Sequence, residues 1–239
     1  MVSGSTNEIG REFVRQFSEK GFNILILDTN EEELKVQAEM VKEKSLYPEM
    51  QIVPLTFNFK AADKWQDYEE LHKKITEITK EQDVSVLINN AEEFDPFGPK
   101  IHRAKDEDVL GNLTINTFPM VFLTRYLGPN MKERVKKGDK KSAIINMTSY
   151  YSEFSVTNAP LYSSAKAFED VFSQILGYEN NEMDVLTVKN MPAKSKLHPN
   201  GVPAREIVDG ALSDLGHERI SYGHWKHATM RYFILWRQC

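Results

Sequence analysis

Residues 142–166, SAIINMTSYYSEFSVTNAPLYSSAK, combine a strand, a polar loop and the start of a helix. The apolar run at 143–147 predicts a β-strand, and the helix is expected to begin near Pro160. Tyr162 and Lys166 are four residues apart, so they share one face of that helix. The phenol and the ammonium are therefore expected side by side.

Ser149, Tyr162 and Lys166 form a set suited to proton transfer. A free tyrosine titrates near ~10, and an ammonium within about 4–6 Å stabilises the phenolate and lowers that pKa. Ser149, thirteen positions before Tyr162, can hold a substrate oxygen while Tyr162 gives or takes its proton. A Tyr–Lys pair alone is also typical of an exposed helix face. Ser149 behind an apolar strand favours the catalytic interpretation.

The rest of the chain alternates strands with helices. Strands are predicted at 23–27, 52–57, 84–88, 143–147 and 185–188, and helices at 9–20, 31–43, 64–80, 110–131 and 160–177. The helix at 110–131 is expected to be continuous, with Pro119 as an irregularity. The Tyr162 helix is expected to turn these apolar residues to the core: Phe168, Val171, Phe172, Ile175 and Leu176. The alternation predicts an α/β fold, a doubly wound parallel sheet with right-handed crossovers, in one domain over 1–239.

Composition narrows the class of function. The net charge of −5 argues against nucleic-acid binding, and no apolar run reaches the roughly 20 residues of a membrane helix. Cys239 is the single cysteine, which fits a reducing, intracellular compartment, cytoplasmic by default. A mitochondrial or membrane-associated location stays open if the amino terminus is incomplete. No metal site is predicted.

Several segments together resemble the short-chain dehydrogenase/reductase family over about residues 1–225. The block with Ser149, Tyr162 and Lys166 is similar to its active site, and Asn116 to its catalytic-helix asparagine. VSGSTNEIG at 2–10 resembles its glycine-rich turn, and LINNAE at 87–92 its Asn-Asn-Ala-Gly block. The phrases NILILDTNEEEL, NMKERVKKG and LYSSAKAFEDVFSQIL look most like the hydroxysteroid dehydrogenase and 3-oxoacyl-CoA reductase branch.

The resemblance implies a role for each residue of the catalytic set. Tyr162 is the acid/base, and Lys166 lowers the pKa of the phenol and holds the nicotinamide ribose. Ser149 positions the substrate oxygen, and Asn116 anchors a proton-relay water. The implied cofactor is NAD or NADP, and the implied substrate is a small lipid-like molecule, a steroid or a 3-oxoacyl thioester.

Cofactor contacts are expected beyond the carboxyl ends of the strands, where such sheets bind ligands. The expected residues are Ser3, Gly4, Ser5, Ile9, Gly10, Asp28, Asn58, Asn90, Ala91, Lys166 and Pro192. Asp28 favours NAD, because its carboxylate would accept from a ribose and disfavour a 2′-phosphate; a simple helix cap is the alternative. Asn58 stands where the family usually has an aspartate near the adenine.

Three glycines of the family pattern are replaced, by Glu8, Glu92 and Ala193. A carboxylate at position 8 near a phosphate, with a left-handed backbone, predicts dinucleotide binding weaker by on the order of 10²–10⁴-fold. Only Met1 and Val2 precede the turn, so the first strand is expected to be truncated. Either the chain begins inside a longer protein, or another segment or chain fills the slot.

Two functions follow. One is an NAD(P)-dependent oxidoreductase with impaired cofactor binding. The other, slightly favoured, is a catalytically silent accessory or structural subunit. For the cofactor, the alternative to NAD or NADP is that none is bound. The apolar run Met230, Tyr232, Phe233, Ile234, Leu235 and Trp236 predicts a contact site. It favours a homodimer or a larger assembly, with folding back onto the chain's own core as the alternative.

Overall fold

The computed structural model describes residues 1–80, 84–94, 99–138, 140–154, 157 and 159–238, with side chains as far as residue 233. Seven parallel strands form one sheet in the order β3-β2-β1-β4-β5-β6-β7. The strands are β1 (Val2–Ser3), β2 (Ile24–Asp28), β3 (Ile52–Thr56), β4 (Val86–Asn89), β5 (Ala143–Met147), β6 (Asp184–Val188) and β7 (Ile220–Ser221). This is the doubly wound order, so the predicted fold class is confirmed.

Eight α-helices connect or follow these strands in the described part of the chain. They are α1 (Glu8–Glu19), α2 (Glu31–Lys44), α3 (Trp65–Ile78), α4 (Asp106–Ile115), α5 (Phe118–Lys136), α6 (Pro160–Glu179), α7 (Ala204–Asp214) and α8 (Trp225–Gln238). Short 3₁₀ turns lie at Ile101–Arg103 and Tyr150–Ser152. Among the described residues, no helix has the length and apolar character needed to cross a bilayer.

The first strand is short, as predicted, and it lies in the centre of the sheet. Val2 pairs with Ile26 on one side and Ile88 on the other. The amino group of Met1 donates to the Val86 carbonyl at 2.7 Å. Residues 1–3 therefore occupy the middle of the sheet and place the turn that follows at its carboxyl edge.

Two apolar clusters cover the two faces of the sheet. Neighbouring residues of β5 point to opposite faces, so Ile144 belongs to one cluster and Ile145 to the other. Helices α1 and α7 pack on the Ile145 face, through Phe13 and Val208 among others. Helices α3 and α5 pack on the Ile144 face. The strands are thus buried on both sides, as parallel sheets require.

The prediction of one helix at 110–131 is wrong. α4 ends at Ile115, Asn116 caps it, and α5 begins at Phe118. In a continuous helix, the ring of Pro119 would clash with the carbonyl of Ile115, four residues earlier. The break that proline imposes is therefore more than an irregularity, and Asn116 lies at it.

The expected core face of α6 is correct only in part: Leu176 packs against the core cluster on the Ile144 face, but most of the other residues do not. Phe168, Val171 and Ile175 are about half exposed, whereas Tyr162, Ala165, Lys166, Glu169, Asp170, Ser173 and Gly177 are buried. Helical spacing marks a stripe but does not say which stripe meets the sheet. The buried polar side chains find partners there: the Ser173 hydroxyl bonds Asn146 at 2.9 Å and Thr187 at 2.6 Å.

Close approach makes glycine necessary at position 10. A Cβ there would lie 2.1 Å from the Gly4 carbonyl oxygen and 2.8 Å from the Ser5 Cα. We expect Gly10→Ala to lower the free energy of unfolding by about 1–3 kcal/mol, because backbone must shift. Urea denaturation measures the change.

The matched control is Gly177→Ala in α6, where a Cβ would make an ordinary contact at 3.7 Å with Val185. It should raise the free energy of unfolding by up to about 1 kcal/mol, since alanine favours a helix interior. A Gly10→Ala variant as stable as wild type would show that the turn tolerates a side chain at position 10.

Candidate active site

The carboxyl ends of the central strands open into a cleft of about 520 Å³. Ser149 follows β5, and its hydroxyl accepts from the Tyr151 amide at 3.3 Å. Tyr162 lies on α6 and lines the cleft with Ser149 and Glu92. Lys166 lies one turn further along α6, with its ammonium 5.5 Å from the centre of the Tyr162 ring. The structure therefore brings the predicted serine, tyrosine and lysine together.

Glu92 contacts both the phenol and the ammonium. Tyr162 donates its hydroxyl to Glu92 Oε2 at 2.8 Å, and Lys166 Nζ lies 2.8 Å from the same oxygen. Position 92 is where the family pattern has glycine, which carries no side chain to reach these groups. The carboxylate thus lies between the two residues that the resemblance assigns to chemistry.

A second carboxylate, Glu169, also pairs with Lys166. Its Oε2 accepts from Lys166 Nζ at 2.8 Å, and Nζ also donates to the Met147 carbonyl at 3.3 Å. Both side chains are almost fully buried. One buried ammonium therefore faces two carboxylates, and little of its charge is left to stabilise a phenolate.

The prediction that Lys166 lowers the pKa of Tyr162 is wrong. Burial raises the pKa of the Tyr162 phenol well above its ordinary value, and the Glu92 and Glu169 carboxylates raise it further. The hydrogen bond from Ser149 opposes them. A phenolate would lose its donated proton and lie 2.8 Å from a carboxylate, a repulsion of about 6 kcal/mol at an effective dielectric of about 20.

Burial also affects the pKa values of Lys166 and Glu169. It lowers the pKa of the Lys166 ammonium, but the Glu169 and Glu92 carboxylates outweigh it, and the pKa is raised overall. Burial raises the pKa of Glu169 to about 7, against the opposing charge of Lys166. Lys166 is thus a fixed cation, and Glu169 titrates near neutrality.

Aromatic rings enclose Tyr162 on the cleft side. The Phe94 ring centre lies 4.6 Å from that of Tyr162, and the Tyr151 ring centre lies 5.7 Å from it. Sequence reasoning identified neither Phe94 nor Glu169 as part of the site. The spacing of Glu169 three residues after Lys166 was a usable signal, because residues i and i+3 share a helix face.

The predicted cofactor turn is well formed. Gly4 has a left-handed φ of 63°, which glycine adopts without strain. The side-chain amide of Asn90 donates to the Gly4 carbonyl at 2.7 Å and to Asn7 Oδ1 at 3.1 Å. Asn7 caps α1 by accepting from the Gly10 amide at 2.8 Å. The turn is therefore braced from within.

The other predicted cofactor residues lie around this turn. Ser3 Oγ accepts from the backbone amide of Asn90 at 3.2 Å, and Ser5 is fully buried. Ala91 is buried in the core, whereas Ile9 and Pro192 line the cleft together with Ala193, the third glycine replacement. Asn58 Oδ1 accepts from the Ala61 amide at 3.2 Å in a surface turn.

Asp28 supports the turn instead of capping α2. Its Oδ2 accepts from both the amide and the hydroxyl of Thr6, each at 2.9 Å. Asn30 is the residue that caps α2. The helix-cap alternative is therefore wrong.

Glu8 differs from its predicted arrangement. It is an exposed residue in the first helical turn of α1, at the rim of the cleft. Its backbone is helical, so the expected cost of a left-handed conformation does not arise. The carboxylate can turn to solvent, and the larger obstacle in the cleft is Glu92.

Asn116 lies beside the site with its side chain fully buried. Its Oδ1 accepts from the Glu93 amide at 3.0 Å, and its Nδ2 donates to the carbonyls of Glu93 at 3.0 Å and Asn112 at 2.9 Å. Among the described residues, no group of three or more His, Cys, Asp and Glu side chains is arranged to hold a metal.

Comparison with known proteins identifies the fold's family. Residues 1–196 match the family described as short chain dehydrogenase. The chain belongs to this family. Two relatives are the human inactive hydroxysteroid dehydrogenase-like protein 1 and the very-long-chain 3-oxoacyl-CoA reductase of Pyricularia oryzae. The human protein is 25% identical, over 98% of this chain and 70% of its own length. The Pyricularia oryzae protein is 27% identical, over 98% of this chain and 71% of its own length. These relatives confirm the resemblance to the hydroxysteroid dehydrogenase and 3-oxoacyl-CoA reductase branch.

Solved structures share the short chain dehydrogenase architecture. A ketone-specific alcohol dehydrogenase from Comamonas testosteroni superposes with a TM-score of 0.78 at 18% identity, covering 100% of this chain and 93% of its own. A short-chain dehydrogenase from Sphingobium yanoikuyae in complex with NADPH superposes with a TM-score of 0.75 at 20% identity, covering 89% and 82%. At these identities the likeness concerns the fold.

Within this short chain dehydrogenase site, the residues fit a dinucleotide at one end and not at the other. The Gly4 turn and the start of α1 keep the shape that receives a pyrophosphate. Lys166, expected to hold the nicotinamide ribose, and Tyr162, expected to be the acid/base, both contact Glu92 instead. A nicotinamide cofactor would have to displace that carboxylate.

The raised pKa of Glu169 makes stability depend on pH. The folded chain binds the Glu169 proton more tightly than an unfolded chain, whose glutamate titrates near 4.5. Stability from this group is therefore present at low pH and is lost as the pH rises through about 7. Between about pH 5 and about pH 8, wild type should lose on the order of 3 kcal/mol of unfolding free energy relative to Glu169→Gln.

Urea denaturation of both proteins at the two pH values provides the measurement. Other carboxylates contribute equally to both, so only the difference between the two proteins matters. Parallel pH profiles would show that Glu169 is not strained by burial.

Proposed function

We propose that this chain is a catalytically silent member of the short chain dehydrogenase family. The carrying observation is the Glu92 carboxylate, which accepts from the Tyr162 hydroxyl and pairs with Lys166. A ketone reduction needs Tyr162 to move a proton and Lys166 to face the cofactor. Both groups are engaged by a side chain that the family pattern lacks.

Energetics favour the closed arrangement. A buried ammonium requires a partner, and removing one costs several kcal/mol. Ribose hydroxyls are neutral, so they would replace a charge-assisted contact of Lys166 with a weaker one. Glu92 Oε2 would also lose its bonds to Tyr162 and Lys166. A nicotinamide ribose would therefore have to compete with the Glu92 carboxylate for both Lys166 and Tyr162.

Any residual binding is proposed to favour NAD. The Asp28 carboxylate lies at the end of β2 beside the glycine turn, where it would repel a 2′-phosphate. The solved relative from Sphingobium yanoikuyae was obtained with NADPH. Comparing NADH with NADPH in the same titration is therefore part of the test.

The second candidate is an active oxidoreductase for a steroid or 3-oxoacyl substrate. The assembled Ser149, Tyr162 and Lys166 favour it, together with the 3-oxoacyl-CoA reductase relatives. In that case Glu92 would have to leave the site in each turnover. The two candidates make opposite predictions for the same variant.

Replacing Glu92 by glycine tests the proposal. We expect wild type to show no saturable NADH or NADPH binding up to about 1 mM by fluorescence titration, and no reduction of steroid ketones or 3-oxoacyl thioesters. Glu92→Gly should tighten nicotinamide binding at least about tenfold, because it removes the competing carboxylate. Glu92→Gln separates the charge from the bulk of the side chain.

Glu93→Gln is the matched control, since Glu93 is the adjacent carboxylate and pairs with the exposed Lys60. It should leave nicotinamide affinity unchanged. Turnover by wild type that Tyr162→Phe abolishes would refute the silent assignment and establish the oxidoreductase.

A silent member retained for its surface would act through a partner, and we propose a homodimer. The exposed apolar residues of α6 are spaced three and four apart: Phe168, Val171, Ile175 and Tyr178. Helix α4, which packs beside α6, exposes Leu110 and Leu113. Exposed apolar surface of this kind marks contact sites.

The carboxyl-terminal run is partly described. Met230, Tyr232 and Phe233 are exposed, while Arg231 pairs with Glu153 on the protein side. The side chains of Ile234, Leu235 and Trp236 lie outside the described residues. For its described part, this run faces solvent instead of covering the core, so it is available to a larger assembly.

Val171→Asp tests the dimer, with Val36→Asp in α2 as the matched control. The two valines are 56% and 55% exposed. We expect wild type and Val36→Asp to sediment as dimers at micromolar concentration and Val171→Asp as a monomer, because a buried unpaired charge opposes association. A wild-type monomer would contradict the proposal.

A further inference from the structure

We propose that Asn116 is the positioning residue of a plug formed by residues 92–94, and that it keeps the plug seated over Tyr162. This inference rests on the proposed function, because it explains what holds the Glu92 carboxylate in place. It assigns Asn116 a task different from the water-anchoring role that the resemblance implies.

Each plug residue makes its own contact. Glu92 binds Tyr162 and Lys166, and the Phe94 ring packs 4.6 Å from the Tyr162 ring. The middle residue, Glu93, is held through its backbone. Its amide donates to Asn116 Oδ1 at 3.0 Å, and its carbonyl accepts from Asn116 Nδ2 at 3.0 Å.

This paired contact fixes the direction in which Glu92 points. One side-chain amide engages the amide and the carbonyl of a single residue, as a neighbouring strand would engage it. Position 93 is then held in place and orientation, and the side chain of position 92 is directed towards α6. Without that contact, the plug would be attached through side chains alone, by Glu92, by Phe94 and by the exposed Glu93–Lys60 pair.

Asn116 is itself rigidly placed. It is fully buried at the end of α4, where its backbone amide donates to the Asn112 carbonyl at 3.2 Å and its Nδ2 donates to the same oxygen at 2.9 Å. Both side-chain N–H groups are thereby engaged by backbone carbonyls. The helix break before Pro119 thus places Asn116 within hydrogen-bond distance of the Glu93 backbone.

The other contact of Glu93 is weaker. Its carboxylate pairs with Lys60 at 2.8 Å, with the two side chains 40% and 42% exposed. Exposed ion pairs contribute little to stability. Lys60→Gln is therefore a matched control that disturbs the same plug residue without touching Asn116.

The test combines amide hydrogen exchange with nicotinamide titration. In wild type, the Glu93 amide should be protected. In Asn116→Ala it should exchange at least about tenfold faster, while the Ile88 and Ile145 amides in the sheet stay protected. The same variant should tighten NADH binding at least about threefold, less than Glu92→Gly, since Glu92 still contacts Lys166. Lys60→Gln should change neither quantity.

Asn116→Asp is the second variant, should the alanine variant fold poorly. It keeps an acceptor for the Glu93 amide but places a carboxylate oxygen against the Glu93 carbonyl, so it should also loosen the plug. On a Glu92→Gly background, Asn116→Ala should bring no further gain in affinity, because the carboxylate it positions is gone.

The outcomes separate the two proposals. If Glu92→Gly tightens binding and neither Asn116 variant does, the plug is not held by Asn116 and this inference is wrong, while the silent assignment stands. If an Asn116 variant gains as much affinity on the Glu92→Gly background as alone, Asn116 acts independently of Glu92, and the inference is again wrong. If Glu92→Gly leaves affinity unchanged, the proposed function is wrong, and faster Glu93 amide exchange in Asn116→Ala alone then decides whether Asn116 holds the plug.

Discussion

The buried ammonium of Lys166 is the charge on which the arrangement of the cleft depends. A charge inside a protein must be paired and hydrogen-bonded. In the family pattern, the partners of such a lysine include a cofactor ribose and the tyrosine beside it. Here Glu92 and Glu169 both pair with it at 2.8 Å. Its charge is therefore satisfied by the chain itself, and Tyr162 is left as a protonated donor with a raised pKa.

The two glutamates that replace family glycines near the cofactor illustrate why position matters more than charge. Glu8 lies in the first turn of α1 with an exposed side chain. Glu92 follows β4, and although its side chain is 31% exposed, its Oε2 contacts the buried Lys166 ammonium. An exposed carboxylate is screened by water, whereas one in contact with a buried ammonium is not. The sequence analysis attributed weakened cofactor binding to Glu8, whereas in the structure Glu92 is the residue that contacts Tyr162 and Lys166.

Much of the fold was predictable from sequence, because periodicity and turn residues report on burial. The strands β2, β5 and β6 lie within a residue of their predicted ends, and β1 is short, as predicted. The family motifs located Ser149, Tyr162 and Lys166. The buried stripe of α6 was missed because its polar residues are paired within the protein, as Ser173 is with Asn146. The spacing of apolar residues does not predict which polar side chains are buried in hydrogen-bonded pairs.

The contacts of the site were less predictable for a related reason. The sequence shows a glutamate at position 92 but not the direction of its side chain, which we propose is set by Asn116 through its bond to Glu93, 23 positions away. Electrostatic reasoning from Tyr162 and Lys166 alone predicted a lowered phenol pKa. The Tyr162 pKa is instead raised, first because the phenol is buried and then because the Glu92 and Glu169 carboxylates lie close to it.

The protonation of Tyr162 tests this account most directly. The chain has nine tyrosines, so ¹³Cζ labelling with Tyr162→Phe as the assignment control would isolate the resonance of interest in an NMR titration. The account predicts that the Tyr162 signal stays at its phenol position up to the alkaline limit of folding, well past the ordinary tyrosine pKa near 10. It also predicts that the double variant Glu92→Gln/Glu169→Gln lowers the pKa. A phenolate that forms in wild type below about pH 9 would contradict it, because Lys166 would then be stabilising the base and not the two carboxylates.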